Sequence, residues 1–315
     1  MERKWTEMEL EKCYATIRES QLNQRENYVK FLQDAGKDQI AKWQQLASEI
    51  GIGLDVQSGR IRYKDTFEPL DLHMEVCYIR HGKTEGNTEP RVYQGQVDYQ
   101  NNQLNNIGLE QAATAAERLE KFVHDGEWSL PDLVVSSPLQ RAQKTALPFL
   151  EKHKDIEYKV LPEVAEMKFG AWDNLKVAEL PATDIGHLFY LEQNALVKSK
   201  EPHRVNLSLW THPEWLNGQK EIEGENFLEC MQRQREALRK VEKIANEVLK
   251  QKCHNELRKP RVVLYGHSMA GAAVSILLGF GKADASGWLG FDGNYIMPNA
   301  TPTLLIPGRT QHKQA

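Results

Sequence analysis

The sequence predicts a three-layer α/β/α fold with a mostly parallel central sheet, preceded by a helical N-terminal appendage. Two patterns support this prediction. From residue 73 onward, short apolar runs alternate with longer segments whose apolar residues recur every three or four positions. Alternating strands and helices of this kind are typical of parallel sheets with helices on both faces. Before residue 73 the spacing is mainly helical.

The first 72 residues predict two helices and a hairpin. Apolar side chains recur at helical spacing over residues 10–31 and again over residues 40–50, with Gly36 between them as a helix-stop signal. Alternating residues on both sides of the polar turn at 57–60 predict a β-hairpin. We expect residues 1–72 to be an appendage that packs on the main domain, forms a homodimer contact or binds a partner.

Residues 73–315 predict the main domain, with an insertion near 174–222 where the alternation stops. The predicted strands are Glu75–Ile79, Leu133–Ser136, Tyr158–Leu161, Val262–Tyr265 and Thr303–Ile306. The predicted helices are Gly108–His124, Leu139–Lys152, Asn226–Lys250 and Ser268–Leu278. This order predicts a sheet whose strands are joined by helical crossovers.

The composition excludes several classes of protein. With 315 residues, 40% of them hydrophobic and 27% charged, the chain resembles an ordinary globular protein. Its net charge of -4 gives no reason to expect binding to nucleic acid or to a membrane. No apolar run is long enough to span a bilayer, and the polar residues 1–7 form no secretory signal. The cysteines lack metal-site spacing, so a reduced, cytoplasmic location is the simplest expectation; they are Cys13, Cys77, Cys230 and Cys253.

Polar residues follow three of the predicted strands. Arg80 and His81 come after the first strand, Ser136 and Ser137 close the second, and His267 follows the strand at 262–265. Ligands bind at the carboxyl ends of strands in such sheets, so we expect these residues to share one pocket.

The residue types suit cleavage of a phosphate monoester. A neutral histidine such as His81 can attack phosphorus, and the donor forks of Arg80 and Arg141 match phosphoryl oxygens. Arg141 is predicted in the first turn of a helix, where free N–H groups also favour an anion. Further donors are available at His267, Asn87, Gln94 and Gly95.

The run Arg80-His81-Gly82-Lys83-Thr84-x-x-Asn87 resembles the signature of the histidine phosphatase superfamily, in its phosphoglycerate-mutase-like branch. Five further segments resemble motifs of that family, in the family's order; they are Leu104–Ala112, Ser136–Ala146, Glu166–Trp172, Gly224–Phe227 and Gly266–Ser268. Six motifs in order form a specific match, which spans residues 75–306.

The resemblance implies a role for each matching residue. His81 would become the transient phosphohistidine, and Glu166, which precedes Gly170 by four residues, would be the general acid and base. Asp173 is the next candidate for that acid. No metal or cofactor is implied. The residues expected to hold the phosphoryl group are Arg80, Asn87, Gln94, Gly95, Arg141 and His267.

Within the family, a phosphatase is favoured over a mutase. Gly86-Asn87 stands where typical mutases have Trp-Asn, and the segment around Arg141 resembles the phosphatase members. A mutase must also keep water out of its pocket so that the phosphoryl group returns to the substrate. The sequence departs from the family pattern at 91–95, which carries one extra residue, and at Trp172-Asp173-Asn174.

Two alternatives from other classes are open. Gly266-His267-Ser268-Met269-Ala270 resembles the nucleophile elbow of α/β-hydrolases, which would make Ser268 the nucleophile of an esterase. Against this, the chain after Ser268 is short for the acid, the histidine and the strands still required. A docking module that uses residues 1–72 is the non-enzymatic alternative.

The substrate is expected to be a phosphorylated small molecule or a phosphoprotein. We predict that residues 174–222 cover the pocket and set substrate choice. Basic side chains of this insertion would meet a second anionic group; they are Lys198, Lys200, His203 and Arg204. Otherwise Arg91 and Tyr93 are the expected determinants of specificity.

Overall fold

The computed structural model describes residues 7–178, 180, 185–206, 213–216, 218–252 and 257–307, with side chains from residue 25 onward except those of 185 and 188. The helices are Glu7–Ile50 (α1), Asn106–His124 (α2), Gln140–Lys152 (α3), Ile185–Leu191 (α4), Phe227–Lys252 (α5) and Ser268–Leu277 (α6). The strands are Ile52–Asp55 (β1), Arg60–Tyr63 (β2), Glu75–Arg80 (β3), Leu133–Ser136 (β4), Glu157–Val160 (β5), His203–Arg204 (β6), Glu221–Ile222 (β7), Arg261–Gly266 (β8) and Thr303–Leu305 (β9). Every predicted strand and helix of the main domain is confirmed, with small shifts at the ends.

The central sheet has the strand order β5-β4-β8-β3-β9. Strands β3, β4, β5 and β8 are parallel, and β9 runs antiparallel to β3. Arg80 pairs with Gly266, and Ser136 pairs with Tyr265. The carboxyl ends of β3, β4 and β8 therefore lie at one edge of the sheet, as predicted.

Different helices cover the two faces of the sheet, which confirms the three layers. Successive strand residues point to opposite faces. Cys77 and Ile79 of β3 belong to a core with α2 and α3, whereas Val76 and Tyr78 belong to a core with α5 and α6. The near-continuous apolar runs in the sequence follow from this double burial.

The N-terminal segment packs on the second of these cores. Helix α1 bends at Gly36, whose φ of 73° and ψ of 168° strain any residue with a side chain. This confirms the predicted break between two helices, and β1 and β2 confirm the hairpin. Tyr28, Trp43 and Ile50 are buried in the same core as α5 and α6. The domain division at residue 72 stays a prediction, although the apolar core is continuous across it.

The insertion holds α4 and a small antiparallel ribbon of β6 and β7 among its described residues. Tyr190 of α4 is buried, and its ring contacts those of Phe169 and Trp172. This part of the insertion thus packs in the same core as α5 and α6. None of the described helices is both long and apolar enough to cross a membrane. Cys77 and Cys230 are buried free thiols, whereas the Cys13 side chain and Cys253 lie outside the described residues.

Candidate active site

One pocket opens at the edge of the sheet where β3 and β8 end. It encloses about 480 Å³, including its open mouth. Seven of the eight predicted site residues line it; they are Arg80, His81, Asn87, Gln94, Gly95, Arg141 and Glu166. The eighth, His267, lies beside His81, with ring centroids 5.3 Å apart. The sheet thus brings together residues that are far apart in the chain.

His81 is held as a neutral imidazole with one free ring nitrogen. Its Nδ1 lies 2.7 Å from the carbonyl oxygen of Gly82, and a carbonyl can only accept, so Nδ1 carries the hydrogen. The lone pair is therefore on Nε2. Burial lowers the pKa of His81 well below its ordinary value, and the charges of Arg141 and Arg80 lower it further. A neutral ring of this kind can act as a nucleophile.

The loop around His81 is held by the side chains of Thr145 and Asn299. The N–H of Gly82 donates to Thr145 Oγ1 at 2.9 Å, and the Asn299 side chain donates to the His81 carbonyl at 2.7 Å. Thr145 Oγ1 in turn donates to the carbonyl of Arg141 at 2.6 Å. Thr145 therefore connects the nucleophile loop to α3, a role that sequence reasoning did not assign.

The segment Leu104–Ala112 supports the same loop. Asn105 caps α2 by accepting from the N–H of Gly108 at 2.9 Å, and Gln111 Oε1 accepts from the N–H of Lys83 at 2.8 Å. A Cβ added to Gly108 would lie 2.0 Å from the Lys83 carbonyl oxygen. The glycine is needed because two backbone segments touch here.

Two buried arginines surround the ring of His81. Arg141 donates from Nη2 to the carbonyl of Gly95 at 2.7 Å and from Nη1 to that of Val97 at 3.1 Å. Arg80 donates from Nη1 to the carbonyl of Met297 at 3.0 Å. The Nε of each arginine is buried without a hydrogen-bond partner among the described residues. A buried donor left unpaired costs about 1–3 kcal/mol, which an anion between the arginines would recover.

Asp98 balances part of this positive charge. Its Oδ1 lies 3.9 Å from Arg141 Nη1, and its Oδ2 accepts from the N–H of Gln140 at 2.9 Å. Both side chains of the ion pair are completely buried. Asp98 was not singled out by sequence reasoning, although it lies close after the predicted Gln94-Gly95 turn.

His267 is the second neutral histidine of the site. Its Nε2 lies 2.7 Å from Ser137 Oγ, and its Nδ1 has no hydrogen-bond partner in the described part of the chain. Burial lowers its pKa well below the ordinary value, and Arg141 adds to that effect. The Tyr78 hydroxyl fixes its backbone, accepting from the His267 N–H at 2.8 Å and donating to its carbonyl at 3.0 Å.

The Glu166 carboxylate faces the first turn of α6. Oε2 accepts from the N–H and the hydroxyl of Ser268 at 2.9 and 2.8 Å and from the Met269 N–H at 3.2 Å. Oε1 accepts from the N–H groups of Ala270 and Met167 at 2.9 and 2.8 Å. The positive end of a helix favours a carboxylate in this position. Only the Ser268 hydroxyl can change from donor to acceptor when Glu166 takes up a proton.

Arg233 of α5 holds the segment that carries Glu166. Its Nη1 donates to the carbonyls of Glu163 and Ala165 at 2.8 and 2.9 Å, and its Nη2 donates to that of Glu166 at 3.0 Å. Glu225 forms an ion pair with the same guanidinium. Sequence reasoning missed Arg233 because one arginine on an amphipathic helix carries no signal of its own.

Asn87 and Gln94 lie on the pocket wall with their amide oxygens turned to Thr84. Thr84 Oγ1 lies 3.1 Å from Asn87 Oδ1 and 2.9 Å from Gln94 Oε1. Their amide nitrogens make no hydrogen bond to another described residue. Gly95 supplies a carbonyl to Arg141, so its contribution to the pocket includes holding that arginine in place.

Three expectations do not agree with the structure. Asp173 does not line the described pocket, and its carboxylate is buried against Gly95, where an added Cβ would lie 1.9 Å from Oδ1. The esterase hypothesis is wrong, because a nucleophilic serine must donate its hydroxyl hydrogen to a base such as histidine. Ser268 Oγ instead donates to Glu166, and Nε2 of the neighbouring His267 contacts Ser137.

The prediction for the basic residues of the insertion is also wrong. Lys198 pairs with Glu229 at 3.0 Å, and His203 Nε2 lies 2.9 Å from the Tyr99 hydroxyl. Neither these two nor Lys200 nor Arg204 lines the pocket as far as the described residues define it. Irregular segments have no periodicity from which side-chain direction can be predicted. Trp210 of the same insertion lies outside the described residues.

The described residues include no group of three or more His, Cys, Asp or Glu side chains arranged to hold a metal ion.

Several known phosphatases are similar to this chain. Residues 76–270 match the family model of the histidine phosphatase superfamily (branch 1). A mannitol-1-phosphatase of Eimeria tenella is 56% identical over 306 residues, which cover 97% of this chain and 98% of that protein. A metal-independent phosphoserine phosphatase of Arabidopsis thaliana is 36% identical over 101 residues, 32% of this chain and 38% of that protein. The solved structure of a mycobacterial glucosyl-3-phosphoglycerate phosphatase with VO3 is 27% identical, with a TM-score of 0.47, and covers 65% of this chain and 80% of its own.

The family match extends over more than half of the chain, and the Eimeria relative aligns over nearly all of it. The chain therefore belongs to the histidine phosphatase superfamily. It is a phosphatase that hydrolyses phosphoric monoesters. The resemblance predicted from the sequence is confirmed.

Proposed function

We propose that this phosphatase acts on the phosphate monoester of a sugar alcohol, with mannitol 1-phosphate as the first candidate. The substrate proposal is supported by 56% identity to the Eimeria mannitol-1-phosphatase over almost the full length. The chemistry is supported most directly by one observation. The buried Nε atoms of Arg80 and Arg141 and the Nδ1 of His267 have no hydrogen-bond partner among the described residues, and the three side chains lie around His81.

In the first step, the lone pair on His81 Nε2 attacks phosphorus while the bond from phosphorus to the sugar-alcohol oxygen breaks. The leaving oxygen takes a proton from the Glu166 carboxyl, and the phosphoryl group remains on His81. Gly82 accepts the Nδ1–H throughout and stabilises the ring as it becomes more positive. Glu166 must bind a proton beforehand, and the Ser268 hydroxyl can then accept its hydrogen bond.

In the second step, Glu166 takes a proton from water, and the water oxygen bonds to phosphorus. The bond from phosphorus to Nε2 breaks, so phosphate leaves and His81 returns to its neutral form. Arg80 and Arg141 neutralise the phosphoryl oxygens in both steps. Asn87 and Gln94, which line the same pocket, add neutral donors.

A substrate panel tests the proposed specificity. We expect kcat/KM to be highest for mannitol 1-phosphate among hexitol phosphates, hexose phosphates, 3-phosphoglycerate and a phosphoserine peptide. A phosphopeptide or a phosphoglycerate as the best substrate would contradict it.

The proposed acid is tested separately with Glu166→Gln, which should lose far more activity on mannitol 1-phosphate than on 4-nitrophenyl phosphate, whose leaving group needs little protonation. Glu163→Gln is the matched control, since Glu163 pairs with Lys240 on the surface. Equal losses on both substrates would reject Glu166 as the acid.

A cytoplasmic location and a partner or homodimer contact through residues 1–72 remain predictions of the sequence. The buried, unpaired thiols of Cys77 and Cys230 are compatible with a reducing compartment.

A further inference from the structure

Asp292 lines the active-site pocket but lies outside every motif identified in the sequence. Only 6% of the residue is exposed. Its Oδ1 accepts from the N–H of Gly293 at 2.7 Å and so caps the short 3₁₀ turn Gly293–Tyr295. The other oxygen, Oδ2, makes no hydrogen bond to a described residue. Oδ1 of the carboxylate thus caps the local turn, and Oδ2 is available to bind a ligand.

The backbone that carries Asp292 is rigidly held. Gln193 Oε1 accepts from the N–H groups of Phe291 and Asp292 at 2.8 and 3.1 Å. The Phe291 ring stacks on Phe227 with centroids 3.9 Å apart. Gln193 belongs to the insertion, so the insertion reaches the pocket through this contact. A carboxylate fixed in this way is preorganised and needs little reordering to bind.

The pocket lining combines two anion-binding arginines with residues of mixed charge. Arg80 and Arg141 line it beside His81, and Arg91, Asp292, Val177 and Ile296 line the same pocket. The Asp292 carboxylate lies close enough to Arg80 to favour its charged form. Asp292 also lies close enough to Tyr93 to add to the raised pKa that burial gives that phenol. Lys198 and His203 of the insertion have partners elsewhere, and none of its four basic residues Lys198, Lys200, His203 and Arg204 lines the pocket as the described residues define it.

We infer that Asp292 selects the uncharged hydroxylated part of the substrate, accepting hydrogen bonds from its hydroxyl groups and repelling a second phosphate or carboxylate. This inference rests on the proposed function, because it assumes that a sugar-alcohol monophosphate is the substrate. Hydroxyl groups of a polyol both donate and accept, so they can bind Asp292 and Arg91 together. A bisphosphate would place a second dianion against the Asp292 carboxylate, which is unfavourable in a partly buried site.

The test compares three substrates in the Asp292→Asn variant. The amide oxygen still accepts from the Gly293 N–H, so the turn is kept while the charge is lost. We expect kcat/KM for mannitol 1-phosphate to fall at least about tenfold, as for loss of one charge-assisted hydrogen bond. Activity on a hexitol or hexose bisphosphate should rise several-fold. Activity on 4-nitrophenyl phosphate should change less than about twofold, since this compound has no hydroxyl groups to bind.

Asp284→Asn is the matched control, because that carboxylate also accepts backbone N–H groups, from Ser286 at 2.8 Å and Trp288 at 3.0 Å, but does not line the pocket. It should leave the ratio of the three activities unchanged. Equal losses on all three substrates in Asp292→Asn would overturn the inference and leave Asp292 a structural cap.

A measurement on the wild-type enzyme keeps the inference testable if the variant does not fold. Mannitol should inhibit competitively. Mannonate, in which a carboxylate replaces one terminal CH2OH group, should inhibit more weakly. The reverse order of inhibition would overturn the inference. A wild-type enzyme that prefers the bisphosphate would instead contradict the proposed function. A preference for mannitol 1-phosphate with unchanged ratios in Asp292→Asn would contradict only the role of Asp292.

Discussion

At the residue scale, His81 and His267 are both neutral because burial and nearby arginines lower their pKa values well below 6.5. An unfolded chain would protonate both histidines below that pH, whereas the folded chain does not. The two residues therefore contribute stability that is present above pH 6.5 and is lost as the pH falls below it.

A His267→Gln variant tests this linkage. The free energy of unfolding should fall less steeply with decreasing pH in the variant than in the wild type, by up to about 1.4 kcal/mol per pH unit. Urea denaturation at pH 7, 6 and 5 measures the slopes. Parallel slopes would show that His267 titrates normally in the folded protein.

Asp173 should show the opposite dependence. Burial raises its pKa well above 3.8; Arg141 opposes this shift and Glu166 adds to it. Both carboxylate oxygens are buried without hydrogen-bond partners among the described residues. The folded state is therefore penalised as the pH rises above 3.8 and the unfolded chain ionises.

Asp173→Asn removes this penalty. The variant should match the wild type in stability near pH 4 and exceed it increasingly toward neutral pH, as measured by chemical denaturation. A stability difference that does not change with pH would mean that the carboxyl is solvated in solution.

At the element scale, α5 holds, through Arg233, the segment that carries Glu166. This guanidinium donates to the carbonyls of Glu163, Ala165 and Glu166, so it is a positioning residue for the proposed acid. Arg233→Met should lower kcat for mannitol 1-phosphate by roughly one to two orders of magnitude, with a smaller change in KM.

The matched control is Arg235→Met on the same helix, which removes a guanidinium that does not contact the Glu166 segment. The loss in Arg233→Met should be larger for a sugar-alcohol phosphate than for an aryl phosphate. If both variants lose activity alike, or if the loss in Arg233→Met is the same for both substrates, α5 has only a structural role.

The elements themselves were predictable because local spacing determines them. Apolar runs located β3 and β8, and the polar residues directly after them located His81 and His267. Contacts between distant segments were not predictable in the same way. Arg233 contacts a segment far away in the chain, and Asp292 reaches the pocket only because the fold brings it there. No local pattern distinguishes either of them from ordinary helix and turn residues.

At the scale of the whole molecule, the described side chains of α1 contribute to the main core. Trp43, Ala47 and Ile50 of α1 are buried with residues of α5 and α6. Each large apolar side chain buried in this way stabilises the fold by roughly 1.5–3 kcal/mol. The segment that the sequence predicts as a separate appendage thus buries its apolar face against the phosphatase fold.

Truncation to residues 73–315 tests the importance of this packing. We expect the shortened protein to be less stable and to aggregate, as seen by thermal unfolding and light scattering. Trp43→Ala in the full chain should give a milder loss in the same direction. A soluble, fully active truncated protein would instead show that residues 1–72 are a dispensable appendage.

The most direct test of the central claim is to trap the covalent intermediate. The enzyme is mixed with mannitol 1-phosphate, quenched under denaturing alkaline conditions that preserve phosphohistidine, and mapped by mass spectrometry. We predict one phosphoryl group on His81, accumulating further in Glu166→Gln on an aryl phosphate, and none in His81→Ala, which should also lose turnover. Phosphate on another residue, or substantial turnover by His81→Ala, would contradict the account.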